Sequence, residues 1–134
     1  MGTRELFRGL IIDEETLTDL IPEARWKSSG SMSEDNAPPR PFGVIRYGLT
    51  TPGMGEVKRG TVTIWIHDEL GDYGLINSVL ERLYGTLNGR EHVADGEGNE
   101  LVLVEWQNDS GDLYDPGYKT ITRNTTFNLI GKGV

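Results

Sequence analysis

Residues 61–87 read TVTIWIHDELGDYGLINSVLERLYGTL, and in this stretch a strand pattern leads almost directly into a helix pattern. Within residues 61–67, apolar side chains alternate with polar or aromatic ones, which predicts a β-strand with one buried face. The buried face would carry Val62, Ile64 and Ile66. The opposite face would carry Thr61, Thr63, Trp65 and His67.

The second half of the stretch predicts an amphipathic α-helix. Apolar residues recur there at spacings of three and four, which places them along one side of a helix. They are Leu75, Ile76, Val79, Leu80, Leu83 and Leu87. Asp72 is a candidate cap for this helix, and Gly89 is placed to end it in the left-handed conformation. The rest of the chain must cover the apolar faces of this strand and helix.

Further periodic segments predict the other elements of the fold. A broken helix or helix pair is expected before Pro22, and residues 42–47, 101–106 and 118–130 have strand patterns. The resulting order is α-β-β-α-β-β. We therefore expect one α+β domain over residues 1–134, with an antiparallel four-stranded sheet and the helices packed on one face of it.

Three segments without periodicity are predicted to be mobile loops. Residues 28–41 (SSGSMSEDNAPPRP) combine three prolines with small polar residues, and residues 48–60 and 107–117 are rich in turn-forming residues. A connection of ~14 residues is long, and such loops are often functional or disordered. Residues 28–41 are therefore either a surface excursion or a segment that becomes ordered against a partner.

The composition argues against stable nucleic-acid binding. Lys and Arg total 13 against 21 Asp and Glu, and the net charge of −8 opposes contact with phosphate backbones. The chain has no cysteine, which excludes disulfides and thiolate metal sites. No apolar run reaches the ~20 residues that a membrane-spanning helix needs. We expect a soluble, unsecreted protein without membrane contact.

No part of the sequence has the pattern of a catalytic, cofactor or metal site. His67, Asp68 and Glu69 are adjacent, but alternation along a strand points Asp68 away from the other two. Residues 95–99 (DGEGN) resemble the opening of a calcium-binding loop, but Glu100 and Trp106 stand where that loop needs glycine and glutamate. A hairpin or wide turn fits these residues better. We expect no enzyme activity, no metal and no cofactor.

Two alternatives from other functional classes stay open. One is a small acidic hydrolase, since pairs of catalytic carboxylates are recognised by their separation in space and not by their spacing in sequence. The other is a monomeric binding module.

Four features of the chain together suggest a family. They are a short helical N-terminus, a proline-rich approach to a first strand (PRPFGVIRY, 39–47), a strand-to-helix unit (VTIWI, 62–66, to LINSVL, 75–80), and a closing strand pair that ends in TTFNLI (125–130). In these features the chain resembles the tail terminator, or tail completion, proteins of long-tailed bacteriophages. The similarity covers most of the sequence.

This resemblance implies a subunit that forms a ring, usually a hexamer, on the end of the finished tail tube. The ring would stop tube polymerisation and offer the surface that joins the head. Its partners would be other copies of itself, the tail tube protein and a head-completion or neck protein, with DNA passing through the lumen. The protein would act in the host cytoplasm during assembly and remain in the virion tail or neck. Another neck or head–tail connector component, or a tail tube subunit, is the alternative within this class.

The candidate interface residues are polar or aromatic residues in predicted loops or on exposed strand faces, since binding residues are often carried on loops. They are Arg46, Lys58, Arg59, Trp65, Asp109, Asp112, Tyr114 and Asp115. The faces that carry Trp65 and Trp106 could belong either to an interface or to the core, because aromatic side chains are common in both.

Overall fold

The structure, a computed structural model, describes residues 2–33, 36–50 and 57–133, apart from the side chains of residues 49 and 50. The α-helices in these ranges are α1 (Thr3–Ile12), α2 (Glu15–Thr18) and α3 (Gly74–Leu87). The strands are β1 (Trp26–Ser28), β2 (Phe42–Thr50), β3 (Val57–Asp68), β4 (Arg90–Ala94), β5 (Glu100–Asp109), β6 (Leu113–Asp115) and β7 (Thr120–Lys132). Two short 3-10 turns, Glu23–Arg25 and Ser29–Ser31, flank β1.

The strands form one mixed sheet in the order β1-β2-β3-β7-β5-β4, with β6 also paired to β7. β1 runs parallel to β2, and the other pairs are antiparallel. The sheet is strongly curled into a half-barrel. Two register shifts, between Leu101 and Leu103 and between Trp106 and Asn108, interrupt the pairing of β5 with β7. Irregularities of this kind bend a strand and increase its twist.

The predicted antiparallel four-stranded sheet with the order α-β-β-α-β-β is wrong. The sheet has seven strands in the described part of the chain, and the parallel β1–β2 pair makes it mixed. The sequence pattern missed β1, β4 and β6, which are short. Four of the five residues of β4 are exposed, so β4 has little apolar alternation. Such strands form by pairing with a neighbouring backbone, which hydrophobic periodicity does not reveal.

The strands also extend into segments that were predicted as loops. β6 lies inside residues 107–117, and β2 and β3 together occupy much of residues 48–60. The centre of that second loop, residues 51–56, lies outside the described residues, as do residues 34–35 of the predicted loop 28–41. The Ser29–Ser31 turn also falls within residues 28–41.

The core lies between the α-helices and one face of the sheet, as the strand-to-helix stretch predicts. Val62, Ile64 and Ile66 of β3 are fully buried. The buried side of α3 consists of Ile76, Val79, Leu80, Leu83 and Leu87. Each fully buried aliphatic side chain contributes on the order of 1.5–3 kcal/mol to folding, as an upper estimate. The predicted strand, helix and apolar faces are confirmed, and Gly89 follows the helix with φ of +81°.

Trp26, which the sequence patterns did not single out, holds β1 and β2 together from inside the core. It is fully buried, and its indole Nε1 donates a hydrogen bond of 2.8 Å to the Ile21 carbonyl. Trp26 lies opposite Gly43 in the β1–β2 register. A Cβ atom at Gly43 would lie 2.4 Å from the Trp26 ring, so the indole packs only against a residue without a side chain.

Gly43→Ala is expected to lower the free energy of unfolding by about 1–3 kcal/mol, because the Trp26 ring must leave its packed position. Urea unfolding measures the change. Gly85→Ala is the matched control, since an added Cβ on this glycine of α3 meets nothing within 4 Å. The control should gain about 0.5–1 kcal/mol, because alanine is the better helix former. Equal effects of the two substitutions would contradict the packing described for Trp26.

Candidate interaction surface

The face of the sheet turned away from the α-helices, named here the polar face, is the candidate interaction surface. On β3 it carries Thr61, Thr63, Trp65 and His67. The residues opposite these in the register are Phe42, Val44, Arg46 and Gly48 on β2, and Thr122, Asn124, Thr126 and Asn128 on β7. Successive side chains of a strand point to opposite faces, so the alternation that buries Ile64 also presents Trp65 on the polar face.

One end of the polar face is closed by an aromatic cluster. Phe42 stacks on the His67 imidazole with ring centroids 4.7 Å apart, and Tyr118 packs edge-on against both rings. The His67 Nδ1 atom lies 2.7 Å from the Thr120 hydroxyl oxygen. His67 is only 3% exposed, and burial lowers its pKa to about 4. At neutral pH this histidine is therefore an uncharged packing residue.

Beyond this cluster the polar face is open and has two shallow cavities. One, of about 200 Å³, is lined by Ser29, Val44, Arg46, Trp65, His67, Asp115 and Tyr118. The other, of about 310 Å³, lies between Arg46, Gly48, Thr61, Thr63 and Trp65. Trp65 is half-buried and Arg46 is exposed. Aromatic and arginine side chains are enriched in the centres of protein–protein interfaces, so this part of the face has the composition of a contact surface.

The structure brings together three of the predicted interface residues. Arg46, Trp65 and Asp115 line the same cavity. Arg59 lies on the same face of β3 as Trp65 but roughly 20 Å further along the strand. Lys58 is the neighbour of Arg59, and strand alternation places it on the opposite face of the sheet.

The other predicted interface residues lie around the β5–β6 connection. Asp109 accepts a hydrogen bond of 2.9 Å from the indole Nε1 of Trp106. An Asp112 oxygen is 4.0 Å from Nε of Arg123, the outer limit of an ion pair. Tyr114, on β6, is 55% exposed. None of these three residues lines the two cavities on the polar face.

Asp115 has a structural function as well as its place in the cavity. Its carboxylate accepts hydrogen bonds from the backbone N–H groups of Gly117 and Tyr118, at 2.8 and 3.0 Å. These bonds shape the turn from β6 into β7, which carries Tyr118 to the aromatic cluster. Replacing Asp115 would therefore alter the shape of the cavity as well as its charge.

An exposed aromatic pair between α3 and β5 is a further candidate for contact. Tyr84 packs edge-on against Trp106 with ring centroids 5.8 Å apart, and the two residues are 48% and 39% exposed. Trp106 therefore lies at the surface, and Trp26 is the tryptophan of the core. Hydrophobic periodicity in the sequence did not indicate a role for Tyr84. The sequence did place Tyr84 outside the apolar stripe predicted for α3, and this position indicated that its side chain would be exposed.

The described residues contain no group of three His, Asp or Glu side chains arranged to hold a metal ion. The predicted turn at residues 95–99 connects β4 and β5 as an antiparallel hairpin. There the Asp95 carboxylate accepts hydrogen bonds of 2.7 Å from the Asn99 amide and from the Glu97 backbone N–H. The bond from Asn99, more than the others, lowers the pKa of Asp95. In the ranges that the structure describes, no helix is long and apolar enough to cross a membrane.

Comparison with known proteins establishes a shared fold. The sequence matches no protein-family profile and no curated protein. Among solved structures, the chain is similar to a chain in the structure described as "Virion of native gene transfer agent (GTA) particle", with a TM-score of 0.73. The two chains are 10% identical, and the match covers 98% of this chain and 96% of the other. At this identity the match defines the fold, and a fold alone does not fix a function.

The stability of the protein is expected to depend on His67 at mildly acidic pH. Its pKa is about 4 in the folded protein against 6.5 for an ordinary histidine, so the unfolded chain binds the proton more strongly. The contribution of neutral His67 is complete above pH ~6.5 and is lost as the pH falls towards ~4. Urea unfolding at several pH values should show this loss. His67→Gln should lack that part of the pH dependence, and identical profiles for the two proteins would contradict the burial of a neutral imidazole.

Trp65→Ala is expected to leave the chain folded, because Trp65 is half-buried on the polar face, and to weaken any association between copies that buries this face. Trp26→Ala is the comparison, since loss of a fully buried and hydrogen-bonded indole should cost about 3–5 kcal/mol. Thermal unfolding and sedimentation velocity separate folding from association. Loss of folding in Trp65→Ala would place Trp65 in the core and contradict its assignment to an interface.

Proposed function

We propose that this chain is a structural subunit of a phage-like virion, and more specifically a tail terminator that forms a hexameric ring on the end of the tail tube. The ring would stop tube polymerisation and provide the head-joining surface. The observation that carries the proposal is the likeness in fold to a chain of the gene transfer agent virion, which extends over 98% of this chain and 96% of that one. The subunit would assemble in the host cytoplasm and remain in the virion tail or neck.

The resemblance to tail terminators supports the finer role. Its sequence motifs fall on β2, β3, α3 and β7, which are the central strands of the sheet and the helix that packs on them. The motifs therefore belong to the part of the fold that sets the shape of the subunit.

The exposed aromatic groups are suitable for a subunit with more than one neighbour. Trp65 lies on the polar face beside Arg46, whereas Tyr84 and Trp106 lie on the α3 side of the sheet. A ring subunit needs contacts with its neighbours in the ring and with the tube or neck. Surfaces on both sides of the sheet can supply these separate contacts.

The proposed role needs no catalysis, and two polar groups beside the cavity, Thr122 and His67, have structural partners. The Thr122 hydroxyl donates a hydrogen bond of 2.8 Å to the Ile66 carbonyl, and His67 is held against Thr120. The net charge of −8 would reduce binding of DNA to the ring wall as the DNA passes through the lumen. These features favour an assembly protein over a small acidic hydrolase.

The description of the matched structure names the particle and not the role of the matched chain. Another neck or head–tail connector component, or a tail tube subunit, is therefore the alternative function. The three roles differ in what the protein does to a growing tube. A terminator stops growth when it occupies the tube end, a tube subunit is incorporated, and a connector leaves tube growth unchanged.

Negative-stain electron microscopy of the purified chain with tail tubes, together with sedimentation velocity, tests the proposal. We expect rings that cap tube ends, and we expect that an amount far below the tube protein stops elongation. Incorporation along the tube would support the tube subunit instead. A strict monomer at high concentration with no affinity for tubes would overturn the proposal.

A further inference from the structure

The charges of this chain are divided between the two edges of the sheet. Residues 90–109, which form β4, β5 and their turn, contain one Lys or Arg, which is Arg90, and one histidine, His92. Their acidic residues are Glu91, Asp95, Glu97, Glu100, Glu105 and Asp109. At the other edge, β1 and β2 carry Lys27 and Arg46 and no acidic residue. The sheet is therefore basic at one edge and strongly acidic at the other.

The basic edge, defined by Lys27 and Arg46, presents its charges on the polar face. Lys27 lies opposite Val44, and Val44 lies opposite Trp65, so the strand register places all three on that face. Arg46 is two residues beyond Val44 on β2 and lines both cavities beside Trp65. Within the described residues, neither Lys27 nor Arg46 forms an ion pair.

The acidic edge, defined by Glu91 and Glu105, presents its charges on the same face. Glu105 lies opposite Asn128 of β7. Glu91 lies opposite Leu103, whose partner in β7 is Ile130. Glu91 and Glu105 are exposed and form no ion pair with a described residue. Two carboxylates thus stand at one end of the sheet and two cations at the other, and none of the four forms an ion pair with a described residue, although Asp115 shares the cavity beside Arg46.

This division of charge selects one mode of contact between copies. Two basic edges repel each other, as do two acidic edges, so contacts that join like edges are disfavoured. A basic edge and an acidic edge attract each other. A contact between unlike surfaces can be repeated from copy to copy until the copies close into a ring. Charged residues on β4 also prevent undirected pairing of this edge strand with other chains.

We propose that the basic edge of one copy contacts the acidic edge of the next copy in the ring. This contact rests on the proposed function, and it specifies which surfaces of neighbouring copies meet in the ring. Each exposed ion pair contributes little affinity. The charges on the two edges therefore determine which edge of the next copy is contacted and in which orientation. The affinity comes from further burial of two half-buried side chains on the polar face, Trp65 of β3 beside Arg46 and Leu103 of β5 opposite Glu91.

Charge reversal at each edge tests the contact. One variant combines Glu91→Lys with Glu105→Lys, and the other combines Lys27→Glu with Arg46→Glu. Each variant alone should lose ring yield in negative stain, in the presence of tail tubes, by about tenfold or more, because the side chains that define its two edges then carry charges of the same sign. Mixing the two variants should restore rings, since each reversed edge then finds an edge of opposite charge on the other variant.

The matched control for the Glu91→Lys, Glu105→Lys variant combines Glu15→Lys with Glu81→Lys, which makes the same change in net charge at exposed positions of α2 and α3. It should assemble as the unmodified chain does. Raising the salt from about 0.1 M to about 1 M shortens the screening length from about 10 to about 3 Å and should weaken assembly of the unmodified chain. Circular dichroism melting establishes that every variant is folded.

The outcomes separate this inference from the proposed function. If the unmodified chain forms rings and both reversed variants form them equally well, the edge contact is wrong and the proposed function stands. Failure of the mixture to restore rings also overturns the edge contact. If the unmodified chain forms no rings even with tail tubes, the proposed function fails and the edge contact fails with it.

Discussion

The pairing of β3 with β2 on one side and β7 on the other is the constraint on which the rest of the structure depends. The β3–β7 register runs from Val57 to Asp68 without a shift. One face of β3 is apolar and packs in the core with α3, and the other face carries Trp65. A slip of one residue would exchange the two faces, because side chains alternate along a strand. The same register therefore determines the core and the candidate interaction surface.

The elements that the sequence predicted are those whose own side chains bury a large apolar face. β3 and α3 are predicted by periodicity, since each has enough apolar residues at regular spacing to define a face. Periodicity does not predict β1 and β4, because the position of each depends on a partner. Trp26 of β1 needs the space above Gly43, and β4 needs the backbone of β5 to pair with. The strand order and the mixed character of the sheet follow from these pairings, so the expected four-stranded antiparallel sheet was wrong.

The candidate surface was predictable only in part. The alternation of β3 indicated that Trp65 would lie on the face opposite Ile64, and it does. It could not indicate that Asp115 would reach the same cavity, because that depends on the turn between β6 and β7. The division of charge was also hidden, since acidic residues occur throughout the sequence. It appears only when the strand order places β1 and β4 at opposite ends of the sheet.

We propose that this chain is a virion subunit whose copies join unlike edges in a ring at the end of the tail tube. Electron cryomicroscopy of tail tubes incubated with the purified chain tests it most directly. We expect a closed ring at the tube end in which β1 and β2 of each copy face β4 and β5 of the next. Copies distributed along the tube, or a ring with like edges in contact, would contradict it.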